Sequence, residues 1–411
     1  MKSREFLVAL AVVFTCLGCS SSDGPDGPQN ALPFAPAGPQ AAPDPALAGP
    51  FPVGLMTVEV LDETRIHEQT GKPRRLILEI WYPAEQRYKD GPWAVYDLAA
   101  EAPEEYLGDK YEIVHDAELP VIETASVRDA AMDREHAPYP LLFFSHGANG
   151  IRWQSIFYTI HLASHGYVVV SPDHEYNTLW DIIRDGYDPG SVALSAPQRI
   201  EDLRLLADLF IDKNDTPDDF FEASIDPERI GITGHSFGGW TTLCKLCQDE
   251  RFKVGVAHAP EIPMAIGYCD FNAYPAPIMV MGGTLDDTLD WRDQYCGYQA
   301  MQTSLPKFLV ELVDAGHFTF SDICRLDLLS IAEDLGMGGQ AEDALKDGCG
   351  EFNMPWEQAH DVIRYYATAF FNQHLRDSPG SESFLVDLAE APYDQVNFYR
   401  GQAPDWPDGG C

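Results

Sequence analysis

Basic residues are scarce in this 411-residue chain: 27 Lys and Arg stand against 65 Asp and Glu, a formal net charge of −38. No basic patch exists to neutralise a run of phosphates, which argues against nucleic acid as a partner. The acidic clusters, Asp212 to Asp219 and Asp286-Asp287, lack the ligand spacing of a dedicated calcium loop, so no metal site is expected. The acidity reads as a solubility device. Internal repeats are lacking. An apolar run at the N-terminus, Phe6 to Thr15, is too short to cross a bilayer as a stable helix.

That short run has another reading. Lys2 and Arg4 precede it, and Cys16-Leu17-Gly18-Cys19-Ser20 closes it. This pattern resembles a signal peptide ending in a bacterial lipobox, with Cys16 standing where leucine is usual. Residues 1–19 are therefore expected to direct export. Lipid on Cys19 would anchor the chain to a membrane at the cell envelope; without lipidation the chain is secreted. Residues 20–52, rich in Pro, Ala, Gly, Ser and Asp without helical or strand period, read as a flexible linker.

Nine cysteines are present. On this reading Cys16 would leave with the signal and Cys19 would carry lipid, which leaves seven in a compartment that permits disulfides. Cys269 with Cys296, and Cys324 with Cys349, are the expected pairs, each closing a loop outside the expected strands. Cys244 and Cys247 are expected to pack in the core.

From residue 54 the chain alternates strand and helix. Leu55 to Val60, Leu76 to Trp81, Tyr139 to Ser145 and Gly166 to Ser171 read as strands, the last two buried on both faces. Trp153 to His165 and Pro197 to Ile211 read as helices, with Pro197 near the start of the second. Arg229 to Thr233, Val254 to His258, Ile278 to Met281 and Phe308 to Val313 complete the strands, and Trp356 to His374 is the last long helix. Such alternation implies an α/β fold with a mostly parallel central sheet and helices on both faces. Residues 53–380 form the expected catalytic domain and 381–411 a C-terminal extension. Residues 84–136 and 320–354 are long insertions that either shape the site or decorate the surface.

The chemistry concentrates in Gly234-His235-Ser236-Phe237-Gly238-Gly239, between an apolar strand and a helix. G-x-S-x-G in that setting makes a nucleophile elbow, which holds the serine oxygen in the open at the positive end of the helix. A serine there needs a base, and His317, in Gly316-His317-Phe318 after the last of these strands, is the best placed. Asp286, after the strand Ile278 to Met281, is the expected acid, with Asp287 and Glu261 as the other candidates. The order Ser236, Asp286, His317 fits an α/β-hydrolase triad and excludes the chymotrypsin and subtilisin orders. Two backbone amides, Phe237 and Ala148 of the His146-Gly147-Ala148 turn, are expected to form the oxyanion hole.

Tyr139 to Gly147, Leu162-Ala163-Ser164-His165-Gly166-Tyr167-Val168-Val169, the GHSFGG elbow and Leu76 to Ala84 together resemble the platelet-activating factor acetylhydrolase and dienelactone hydrolase-like branch of α/β-hydrolases. The likeness spans roughly residues 54 to 320. It implies Ser236 as nucleophile, His317 as base, and Ala148 and Phe237 as oxyanion donors, with no cofactor. One departure stands out. Those acetylhydrolases carry the acid after the strand that follows the elbow helix, where this chain has His258. Asp286, one strand later, is placed as in cutinase-like polyester hydrolases. The expected function is serine-dependent hydrolysis of a small-molecule or lipid carboxylic ester, with phospholipid or polyester as alternative substrates. A surface binding protein that kept the fold without the chemistry is the alternative from another class.

Overall fold

The computed structural model describes residues 43–411 apart from 69, 189, 304, 327, 387–392, 394 and 407–409. Its strands are β1 (Val53–Ile66), β2 (Pro73–Pro83), β3 (Val95–Tyr96), β4 (Ile122–Glu123), β5 (Ser126–Arg128), β6 (Tyr139–Ser145), β7 (Val168–Pro172), β8 (Ile225–His235), β9 (Phe252–His258), β10 (Ile278–Gly283), β11 (Lys307–Leu312) and β12 (Val396–Arg400). Ten of these form one sheet in the order β12-β11-β10-β9-β8-β6-β7-β2-β1-β5, while β3 pairs with β4. Strands β6 to β11 pair in parallel. Strand β2 runs antiparallel to both β1 and β7, and β12 antiparallel to β11.

The two-residue period of a strand decides which face each side chain serves. Met279 and Met281 of β10, with Phe308 and Val310 of β11, pack on one face against Val362 and Phe370 of the helix Trp356–His374. Ile278, Val280 and Leu309 pack on the other face with Leu203 and Leu206 of the helix Gly190–Asp215 and Leu243 of the helix Phe237–Gln248. Every residue of β6 is buried, as the unbroken apolar run requires of a central strand. Outer strand β1 instead alternates buried and open positions along its middle. This is the α/β-hydrolase architecture, and the carboxyl ends of β6, β8, β9, β10 and β11 gather at one edge, where such sheets carry their sites.

Three expectations need correcting. The helix expected from Pro197 begins seven residues earlier, at Gly190, so Pro197 lies inside it. Asp188 starts the turn by accepting the Gly190 N–H at 2.8 Å. The bond that Pro197 cannot make would end on the carbonyl of Ala193, an exposed residue that water reaches. Cys269 does not join Cys296. It bonds to Cys247, and Cys296 bonds to Cys411, while Cys324–Cys349 forms as expected. Cys247, in the last turn of the elbow helix, meets the segment after the short helix Ile262–Ala265, so only Cys244 is a free, buried core thiol among the described cysteines. The reach of Cys296 to a residue 115 positions away follows from β12, which carries the chain back along β11.

The outer boundaries also differ from a simple domain with loose ends. Within the 381–411 segment, β12 is a strand of the main sheet. Within 20–52, Pro45 and Leu47 accept hydrogen bonds at 3.0 and 2.9 Å from the ring nitrogens of His161 and His165, so this end of the segment is docked on the body. The signal-like residues and Cys19 lie outside the described residues. No described helix is long and apolar enough to cross a membrane. The two insertions touch: the short helix Tyr111–His115 of the first packs on Leu329–Asp334 of the second.

Candidate active site

Strand β8 ends at His235 and the elbow helix begins at Phe237, which leaves Ser236 to make the whole turn. Its backbone is at φ 58°, ψ −116°, a conformation that a residue with a Cβ adopts only when its surroundings impose it. The surroundings are close. A Cβ on Gly238 would lie 1.8 Å from the Ser145 carbonyl oxygen, so only glycine lets the elbow pass the end of β6. The Ser236 N–H is tied to the His258 carbonyl at 2.8 Å. Ser236 is 9% exposed, and its side chain makes no hydrogen bond among the described residues.

His317 opens a 3-10 turn after β11, and its Nδ1 lies 2.9 Å from Oδ2 of Asp286. Both side chains are buried. The Asp286 carboxylate is filled by four donors. The Thr288 and Leu289 amides reach Oδ1 at 3.1 and 2.7 Å, and Gln294 Nε2 shares Oδ2 with the histidine at 2.8 Å. A carboxylate so held keeps its direction, and its acceptor at Nδ1 orients the imidazole with a proton on Nδ1 and Nε2 as the accepting nitrogen. Of the three candidate acids, Asp286 alone meets the histidine. Asp287 is exposed, and Glu261, half-buried before the short helix Ile262–Ala265, has its carboxyl raised by desolvation.

Residues without a local sequence signal complete the arrangement. Asp347 comes from the second insertion, where the helix Gly338–Cys349 breaks at Asp347 and Gly348. Its Oδ1 accepts the backbone N–H of His317 at 2.8 Å and of Asp287 at 3.2 Å, and its Oδ2 accepts the Thr288 hydroxyl at 2.6 Å. One carboxylate thereby clamps the acid loop to the histidine loop. Burial raises its carboxyl above the usual range, and these hydrogen bonds oppose the rise. The Cys324–Cys349 bond fixes the chain two residues further on.

A second chain of hydrogen bonds crosses the site. Gln154 Oε1 accepts the Gly147 N–H at 2.8 Å, and its Nε2 donates to His235 Nδ1 at 2.7 Å. His235 Nε2 then donates to the His317 carbonyl at 2.9 Å. His235 therefore links the turn after β6, the elbow and the histidine loop. It is neutral, since burial and the neighbouring His317 hold its pKa well below 6.5. At the turn itself, a Cβ on Gly147 would lie 3.4 Å from Ser236 Cβ, so the Ala148 segment borders the serine. Neither Ala148 nor Phe237 gives its N–H to an acceptor among the described residues. His258, at the position where the resembling acetylhydrolases carry their acid, is fully buried. Neither ring nitrogen has a partner among the described residues, and desolvation pushes its pKa down to about 3.

Residues 39–180 match the family model described as platelet-activating factor acetylhydrolase, isoform II, and residues 221–310 match that of the prolyl oligopeptidase family. A platelet-activating factor acetylhydrolase of Cavia porcellus is 29% identical, over 58% of this chain and 58% of that protein. That of Canis lupus familiaris is 29% identical over 29% of this chain and 34% of its own length. A "Probable 1-alkyl-2-acetylglycerophosphocholine esterase" of Arthroderma benhamiae is 28% identical over 52% of this chain and 57% of that protein. The chain thus spans between 34% and 58% of the length of these curated relatives. Among solved structures, a ferulic acid esterase from Streptomyces cinnamoneus superposes with a TM-score of 0.61 at 23% identity, covering 85% of this chain and 96% of that one. The fold is that of the α/β-hydrolases, and the sequence likeness is to their platelet-activating factor acetylhydrolase-like members.

Proposed function

We propose that this chain is a serine-dependent carboxylic ester hydrolase. The observation that carries the reading is the buried His317–Asp286 pair, held at 2.9 Å on the loops beside a serine with φ of 58°. In the proposed reaction Ser236 Oγ attacks the ester carbonyl while His317 Nε2 takes its proton. Asp286 stabilises the imidazolium that results. The Ala148 and Phe237 amides bind the oxyanion as the C=O bond becomes single. Collapse of the tetrahedral centre expels the alcohol, which receives the proton from His317. Water, activated by the same histidine, then attacks the acyl-serine and releases the acid.

The substrate class we propose is an ester with a short acyl group, including the 2-acetyl ester of a glycerophospholipid. The support is the activity for which the similar acetylhydrolase and glycerophosphocholine esterase are named. We leave the alcohol unspecified, because the proposed acid follows β10 rather than β9, a departure from the resembling acetylhydrolases. Export, suggested by the three disulfides, and a lipid on Cys19 would bring the site to a membrane surface. The test is labelling with a fluorophosphonate followed by peptide mapping, together with rates on p-nitrophenyl esters of increasing acyl length. A label on Ser236 and a rate that declines beyond short acyl chains are expected. Folded protein that takes no label on Ser236 would overturn the reading in favour of a binding protein.

A further inference from the structure

A fully buried arginine lies beneath the turn after β6, and the proposed chemistry makes no use of it. Arg199, on the helix Gly190–Asp215, donates from Nη1 to the His146 carbonyl at 2.5 Å and to Ser145 Oγ at 3.2 Å. Its Nη2 donates to the Gly147 carbonyl at 3.1 Å and to Asn177 Oδ1 at 2.8 Å, and its Nε to Ser195 Oγ at 3.2 Å. The guanidinium also stands 4.3 Å from the centre of the Phe237 ring. Two successive carbonyls of the turn are thus held by one cation that also packs on the other expected oxyanion donor.

We propose that Arg199 is the positioning residue of the oxyanion hole: it locks the Gly147–Ala148 peptide so that its N–H faces the reacting carbonyl. The proposal rests on the ester hydrolase reading above. A trans peptide is planar, with its C=O and N–H pointing in opposite directions. The Gly147 oxygen is held inward by Arg199, by the Gly150 N–H at 3.2 Å and by His146 Nδ1 at 2.7 Å. The Ala148 N–H, on the same peptide, is then turned away from the arginine. Rotating this peptide by half a turn would present a carbonyl oxygen to a developing negative charge. It would also strip a buried cation of an acceptor, and burying an unpaired charge is costly.

The arginine is itself held in place. It can only donate, so Ser145 Oγ accepts from it and in turn donates its hydroxyl hydrogen bond to His174 Nε2 at 3.1 Å. His174 then donates from Nδ1 to Asp202 Oδ2 at 2.9 Å. Asp202 is also paired with Arg65 and Arg74. Ser145, His174 and Asp202 reproduce the atoms of a catalytic triad, yet all three are 0% exposed, and no ester can reach them. Their part is to order the donors under the turn. Burial and Arg199 hold His174 down to about 4, so this imidazole is neutral at pH 7, while Asp202 opposes the desolvation that lowers Arg199 to about 9.

The test is a double-mutant cycle on the full chain with Arg199→Lys and Ala148→Pro, which deletes the amide itself. Lysine keeps a buried cation beside Asp202 but cannot span both carbonyls. Arg199→Lys is expected to lower kcat about 10- to 100-fold, with KM within about 3-fold, and to weaken a trifluoromethyl ketone inhibitor by a similar factor. Ala148→Pro is expected to lose about 100- to 1000-fold. The double variant is expected to be no slower than Ala148→Pro alone, because both changes remove one donor. Unchanged kcat in Arg199→Lys overturns the proposal, and so do losses that multiply in the double variant. If Arg199→Lys has no native near-UV spectrum without denaturant, the arginine is a folding determinant and the proposal also falls. Wild-type protein that hydrolyses no ester and takes no fluorophosphonate would instead sink the hydrolase reading on which the proposal stands.

Discussion

Replacing Asp347 by alanine removes three hydrogen bonds at once, and they are unequal. The Asp287 amide and Thr288 hydroxyl belong to exposed residues, so water can take the place of the carboxylate there. The His317 N–H is buried with its residue, and losing its 2.8 Å acceptor leaves a donor unsatisfied. An orphaned buried donor costs about 1–3 kcal/mol, and the rehydrated pair adds little. We therefore expect Asp347→Ala to lose about 2 kcal/mol, much of it as loosening of the histidine loop rather than of the whole fold. A displacement of the imidazole by about 1 Å costs on the order of 100-fold in rate. The expected result is a fall in kcat of about 30- to 100-fold, little change in KM and a Tm lower by a few degrees. Asp347→Asn keeps an acceptor for both amides and can donate to Thr288 Oγ1, so it should recover activity to within about 3-fold. Wild-type kcat in the alanine variant would refute the clamp. Equal damage from asparagine would show that the charge, not the geometry, is what the loop needs.

Asp286→Ala should lower kcat by about 10⁴-fold, far more than Asp287→Ala or Glu261→Ala; comparable losses in a steady-state assay would refute the choice of acid. His258→Phe replaces two buried nitrogens that have no partner among the described residues by a ring of similar shape and should leave stability unchanged or raise it by about 1 kcal/mol, measured by urea denaturation. A clear loss would mean that the imidazole has a partner. The buried imidazoles of His146, His165, His174, His235, His258 and His360 all have depressed pKa values, so folded protein leaves them neutral where unfolded chain protonates them. Their stabilisation is complete above about pH 6.5, the unfolded value, and is lost as pH falls towards 4. Calorimetry should show Tm dropping steeply between pH 6.5 and 4 with net proton uptake on unfolding, and a flat Tm in that window would contradict the burial.

The parallel core was legible because its signal is local. Tyr139 to Ser145 is apolar without interruption and is buried on both faces, and the helix Trp356–His374 has the bounds its pattern implies. Ser236, Asp286 and His317 stood out as candidates because each follows its own strand, and the structure brings Asp286 and His317 to 2.9 Å. Asp347 was not, since its partners lie some 30 and 60 residues away and nothing around it marks a turn that meets His317. Arg199 reads from sequence as one more charged residue of an amphipathic helix; only the packing of that helix under β6 buries it. The pairing of Cys296 with Cys411 depended on β12, a five-residue strand whose place is fixed by β11 rather than by its own composition.

Strand β12 has a consequence for how the protein behaves when it is damaged. A parallel sheet that stopped at β11 would leave a row of unpaired main-chain donors and acceptors along a buried, apolar strand, a ready template for another chain. Here the row is capped in antiparallel register from Phe308 to Leu312, and the Cys296–Cys411 bond ties down the segment beyond the cap. A chain break ahead of β12 would leave the clip attached by its disulfide. Reduction after such a nick would release it, and the first symptom would be self-association through β11 rather than loss of catalysis.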